Sequence, residues 1–159
     1  MALTIREDDL SGPEIQALVA AHLANSAVYS PPEAIHALNA DGMRAPGVTV
    51  WSAWENGALV GMGGLKALAS PESEGESEGE IKAMHTAAAH RGKGVAAAML
   101  GHLIAESRRR GYRRLWLETG VQDGYAASRR LYARHGFVAC GPFADYVDTP
   151  HSVFMTLAL

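Results

Sequence analysis

The sequence predicts one mixed α/β domain over residues 1–159, and three observations predict it. Alternating and helically periodic segments interleave in the order β-α-α-β-β-β-α-β-α-β-β. Asn56-Gly57 lies between two strand-like runs, the first rich in Val and Trp; this is a hairpin pair, so part of the sheet is antiparallel. A strand over 80–86 then leads through Gly92 and Gly94 into the strongest amphipathic helix in the chain.

The elements follow in order. "ALTIRE" alternates and reads as the first strand. In "SGPEIQALVAAHLAN", Ser11 is placed to cap a helix and Pro13 sits in its first turn, where a missing N–H costs nothing. Ile15, Leu18, Val19, His22 and Leu23 share one face of that helix, with His22 expected as a core histidine. "SPPEAIHALNADGM" reads as a second short helix after the Pro31-Pro32 stop, and residues 48–68 as the hairpin. Residues 70–80, with five glutamates, read as a solvated acidic loop.

The strand 80–86 follows, and its alternation places Glu80, Lys82, Met84 and Thr86 on one face. Over 94–111, Ala96, Met99, Leu100, Leu103 and Ile104 fall on one helical face. Arg108–Arg110 occupy that helix's last turn, where the dipole favours cations, and Gly111 ends it. "RRLWLETG" is a strand, "YAASRRLYARHG" a helix ended by Gly136, and "FVACG" and "HSVFMTLAL" are closing strands.

Composition narrows the function. The 159 residues are 48% apolar, enough for one core, and carry a formal charge of -3. No basic surface announces nucleic acid, and the Arg108–Arg114 cluster lacks interleaved aromatics. No apolar run approaches membrane-spanning length, and the first residues lack a signal-peptide pattern. One cysteine, Cys140, excludes an intramolecular disulfide, so a cytoplasmic setting is expected. The seven histidines include no H-x-x-x-H pair, so no metal site is expected.

The glycines raise the chemical question. Helix-starting N–H groups have no intrahelical partner, and that end of the dipole is positive. Glycines before it let an anion approach the backbone, and Arg91 and Lys93 add charge, so strand, glycines and helix together point to a phosphate cradle. "GKGVAA" also satisfies G-x-G-x-x-G/A, and Glu118 lies near the spacing of a ribose acid, so a nicotinamide-dinucleotide oxidoreductase is the alternative. The long approach "AAAHR" and the antiparallel hairpin count against it.

"HRGKGVAAAML" resembles the R-x-x-G-x-G/A segment of the GCN5-related N-acetyltransferase (GNAT) family, through Arg91, Gly94 and Ala96. "ASRRLYARHGF" resembles the same family's A-x-x-L-Y-x-x-x-G-F segment. More narrowly, "SPPEAIHAL", "EIKAMHT", "LETG" and "GPFADY…HSVFM" resemble the YsnE-like branch, which carries an indole-acetate acetyltransferase label. Relatives of that branch carry arginine where this chain has His85.

The resemblance implies a mostly antiparallel, splayed sheet of about seven strands flanked by four helices. It implies acetyl-CoA as cosubstrate, direct transfer of the acetyl group to the primary amine of a small molecule or peptide, and a homodimer as one state. The pyrophosphate would rest on backbone N–H groups of Arg91, Gly92, Lys93, Gly94, Val95 and Ala96. The pantetheine arm would run beside the main chain of Met84, His85 and Thr86, with Ser128 touching it. Tyr132 would protonate the leaving thiolate, and Glu80 or water would deprotonate the amine. Tyr29, His36, Arg44, Asp145 and Tyr146 are the candidates for the acceptor wall, and Glu118 is a further acid beside the splay. A non-catalytic acyl-CoA-binding module is the third reading.

Overall fold

The computed structural model describes residues 2–32, 35–69 and 76–159. Seven strands form one sheet in the order β1-β2-β3-β4-β5-β7-β6. They are β1 (Thr4–Glu7), β2 (Val48–Glu55), β3 (Ala58–Ala69), β4 (Glu76–Thr86), β5 (Arg114–Gly120), β6 (Val138–Cys140) and β7 (Ser152–Ala158). The helices are α1 (Pro13–Tyr29), α2 (Ala40–Met43), α3 (Val95–Arg109) and α4 (Ala126–Arg134). Every strand pairing is antiparallel except β4 with β5. The described residues therefore form no doubly wound parallel sheet, the frame a dinucleotide fold needs.

Each sheet face has its own core. On one, Leu10, Ile15, Leu18 and Val19 pack with Val50, Met62 and Ala83. On the other, Val95, Met99, Leu100 and Leu103 of α3 and Leu131 and Tyr132 of α4 cover Val60, Leu65, Ile81 and Leu117. Gly63 lets α3 approach this closely: a Cβ there would stand 2.6 Å from Met99 Cγ. The Asn56-Gly57 turn forms as expected, with both residues at positive φ (50° and 79°).

Four local expectations are corrected. Ser11 does not cap α1; its hydroxyl donates to Asp9, and Gly12 is the N-cap. The second helix shrinks to Ala40–Met43, capped by Asn39, and residues 35–39 are irregular. Lys82 draws the His36 carbonyl away from any helical partner, with Nζ donating at 3.0 Å. The acidic loop is shorter than expected, because residues 76–80 already belong to β4, while 70–75 lie outside the described residues.

The fourth correction matters most for the site. Between Met62 and Gly64 the β3–β4 register slips: Met62 pairs with His85, but Gly64 pairs with Lys82. The extra residue is accommodated at Ala83, whose φ is 57°. Strict alternation therefore fails. Glu80, Lys82 and His85 share the α1 side, while Met84 packs with the α3-side core.

Candidate active site

β4 and β5 pair at only three positions, Glu78–Arg114, Gly79–Leu115 and Glu80–Trp116, and then diverge. Beyond Glu80 the edge of β4 that faces β5 has no strand partner. Two hollows meet along that gap.

The larger is a cleft of about 430 Å³ between β4, the start of α3 and α4. Its lining includes Met84, His85, Thr86, Arg91, Gly92, Gly94, Val95, Ala96 and Ser128. These are nine of the ten residues expected to hold the cosubstrate; Lys93 is exposed beside them. Gly92 and Gly94 have φ of 75° and 84°, the left-handed region that glycine enters at least cost. A Cβ on Gly92 would meet open space, so conformation and not crowding selects glycine there. Gly94 is the N-cap of α3, with no side-chain cap and no acid in the first turn. The first N–H groups of α3 thus keep no side-chain acceptor and face the cleft with the positive end of the dipole. This fits a phosphate-bearing ligand, and the unpaired β4 edge fits an extended amide chain.

The smaller hollow, about 100 Å³, lies on the α1 side of the splay. His36, Lys82, Glu118, Thr119 and Tyr125 are among its lining residues. Four residues, His22, Ser26, Met84 and Tyr125, line both hollows, so the two adjoin.

Behind the smaller hollow is a buried ionic cluster. Tyr146 donates to Glu80 Oε2 at 2.5 Å, and Lys82 Nζ lies 3.3 Å from the same oxygen. Lys82 also donates to the Tyr146 hydroxyl and the His36 carbonyl, each at 3.0 Å. All three ammonium protons are thereby engaged. Phe143 and Phe154 pack against the Tyr146 ring, and Trp116 stacks on Phe143. Burial and the neighbouring Glu80 carboxylate push the Tyr146 phenol well above its ordinary value, so it stays a donor. Glu80 is 2% exposed and lines neither hollow.

Glu118 does line the smaller hollow. Burial raises its carboxyl above the ordinary range, against a hydrogen bond from Ser152 and the pull of His36 and Lys82. Tyr132, like Glu80, lines neither hollow: it is buried on the opposite sheet face, edge-on to Phe137 and one residue from Leu131, which lines the larger cleft. Burial and then Glu118 push its phenol up, so it too remains protonated at neutral pH. Of the acceptor-wall candidates, His36 and Tyr146 reach the cluster and Tyr29 lines the larger cleft. Asp145 is exposed, and Arg44 is turned away, donating to the Leu10 carbonyl.

One pair joins residues that the sequence keeps 63 positions apart. His22 of α1 and His85 of β4 meet Nδ1 to Nδ1 at 3.2 Å, rings edge to face. His22 has a partner, as a core histidine should, but it borders both hollows.

The sequence pattern of the acetyltransferase (GNAT) family matches residues 16–137. The uncharacterized N-acetyltransferase YsnE of Bacillus subtilis is 48% identical over 98% of this chain and 99% of its own length. The uncharacterized N-acetyltransferase YedL of Escherichia coli is 46% identical over 98% of this chain and 94% of its own. The structure of yncA from Salmonella typhimurium, solved with its cofactor acetyl-CoA, superposes with a TM-score of 0.67 at 26% identity, covering 99% of this chain and 94% of that one. No helix among the described residues is long and apolar enough to cross a membrane.

Proposed function

From membership of the acetyltransferase (GNAT) family, to which this chain belongs, we propose how its residues divide the acetyl-CoA-dependent N-acetyltransferase reaction. The observation that carries the reading is the meeting of two hollows where β4 leaves β5. The larger takes acetyl-CoA: backbone N–H groups from Arg91 to Ala96 hold the pyrophosphate, and the main chain of Met84, His85 and Thr86 flanks the pantetheine, with Ser128 opposite. The smaller takes the primary amine of a small molecule or peptide.

The parts divide as follows in this reading. A β4 backbone N–H beside the splay stabilises the oxyanion as the amine nitrogen bonds to the thioester carbon. Tyr132 keeps the part that its place in the L-Y-x-x-x-G-F segment implies, protonation of the departing thiolate; burial keeps its phenol protonated at rest. Glu80 was expected as the base, but Lys82 and Tyr146 engage its carboxylate. We assign it instead to positioning: it fixes Lys82, which fixes residue 36 and so the acceptor wall. The single cysteine suits a reducing, cytoplasmic setting.

The test is thiol release from acetyl-CoA against amines, amino acids, peptides and indole-acetate, with the Cys140 background subtracted. Turnover with one acceptor class is expected, falling about 100-fold in Tyr132→Phe while acetyl-CoA affinity holds. Silence across the panel with a melting temperature still raised by acetyl-CoA would leave a binding module. A rise with NAD alone would overturn the reading.

A further inference from the structure

An amine cannot be acetylated without losing a proton, and the described carboxylates serve that step poorly. Glu80 is bonded to Lys82 and Tyr146, and burial favours the protonated form of Glu118. Beside Tyr125, which lines both hollows, and His36, which lines the smaller, stands the His22–His85 pair: His22 lines both hollows and is bonded to a second imidazole that lines the larger.

Its geometry is informative. An Nδ1-to-Nδ1 hydrogen bond holds one proton between two acceptors, so two neutral rings must adopt opposite tautomers. With Nδ1 engaged, Nε2 is the atom each ring has left for the spaces it borders. His22 borders the acceptor hollow and the cosubstrate cleft. His85 borders the cleft and a further open groove beside α1, lined by Ala21, Ala24, Leu59 and Ala87 among others. The two rings therefore span the wall between acceptor and outer surface. The charged groups that bear on them are Lys82 for His22 and Arg91 for His85, both cations. Together with burial these cations hold the rings neutral, and His22 is pushed down to about 4.

Resting on the acetyltransfer reading above, we propose that His22 and His85 form a relay that carries the acceptor's proton from the smaller hollow to solvent. As the amine nitrogen bonds to the thioester carbon, its N–H breaks and the proton passes to His22 Nε2. The His22 Nδ1 proton moves to His85 Nδ1, and the His85 Nε2 proton leaves to water. The thiolate takes its proton from Tyr132. After the products leave, exchange with water returns the pair to its starting tautomers: His85 Nε2 takes up a proton, the Nδ1 proton moves back to His22, and His22 Nε2 gives its own to water in the emptied hollow; Tyr132 regains its proton from water. A low proton affinity suits a conduit, which must release what it accepts.

The first arm of the test needs no acceptor. Imidazole ¹⁵N spectra of the full chain at pH 7 should show one of the two rings protonated at Nδ1 and the other at Nε2, both neutral. Identical tautomers, or a charged ring at that pH, would overturn the relay. The second arm uses the acceptor that the panel returns. His22→Ala and His85→Gln should each lower kcat about 100-fold with unchanged acetyl-CoA affinity, and added imidazole should restore the first. A merely structural pair would not be rescued by imidazole, and unaltered kcat in either variant would sink the proposal. Opposite tautomers in a chain that transfers acetyl to nothing would instead count against the transfer reading.

Discussion

The two sides of the proposed active site, one for the cosubstrate and one for the acceptor, are built from different materials. The cosubstrate side is backbone: two left-handed glycines, an uncapped helix start and an unpaired strand edge, mostly within residues 84–97. The acceptor side is side chains: Glu80 with Tyr146, Lys82 with residue 36 and His22 with His85, joined across 66, 46 and 63 residues of sequence. A ligand shared by a whole family can be held by groups every residue has. A ligand peculiar to one enzyme needs groups that only particular residues bring, wherever the chain places them.

The contrast can be broken most severely at Lys82. Replacing it with Met leaves the Glu80 carboxylate buried beside a phenol alone, and removing one partner of a buried pair costs about 3–5 kcal/mol. Urea unfolding should show that loss, and Glu80→Gln in the same chain should recover part of it. Acetyl-CoA should still protect whatever remains folded, because its cradle uses none of these groups.

Acid offers a graded version. The folded chain depresses His22 to about 4, whereas the unfolded chain protonates it near 6.5. The unfolded state therefore binds more protons between those values, and stability present above 6.5 is lost as pH falls towards 4, by at most about 3 kcal/mol. His85, also depressed, acts in the same direction. Glu118, raised, acts in the opposite one: it adds stability as pH falls through its folded value. Urea midpoints between pH 7 and pH 5 should fall in the parent and fall less in His22→Gln; equal slopes would refute the assignment.

The backbone side yields smaller changes in stability but sharper ones in binding. Gly94→Val forces a branched side chain to φ 84°, which costs about 1–3 kcal/mol, and it should weaken acetyl-CoA binding in calorimetry. Gly92→Ala, with room for its methyl but the wrong φ, should cost about 1 kcal/mol. Smallest is Asn39→Ala. It removes the side-chain cap of α2, a bond at 2.8 Å, for about 1 kcal/mol or less and no change in acetyl-CoA affinity.

Legibility in the sequence follows the same division. Gly92, Gly94, the Asn56-Gly57 turn and the periodicity of α3 are local signals, and each survived folding. Nearly all the residues named for the cosubstrate do line one cleft. Glu80 was found by position, but its engagement by Lys82 and Tyr146 was not, because nothing near residue 80 mentions residue 146. The sequence places His22 on its own helix and His85 beside the pantetheine by its main chain, and neither reading brings the two imidazoles together. The irregular stretch before α2 was hidden for the same reason: the lysine that draws off the His36 carbonyl comes 46 residues later.

The one extra residue at Ala83 has a consequence of parity. Lys82 and His85 are three positions apart, an odd count, and an unbroken strand would send them to opposite sides of the sheet. The slipped register makes that odd interval behave as an even one, so both stand on the side that α1 covers. Chain length is conserved while phase is not. A single strand can thus deliver an ionic anchor at one end of the gap and an imidazole at the other, with the thioether of Met84 turned the other way between them.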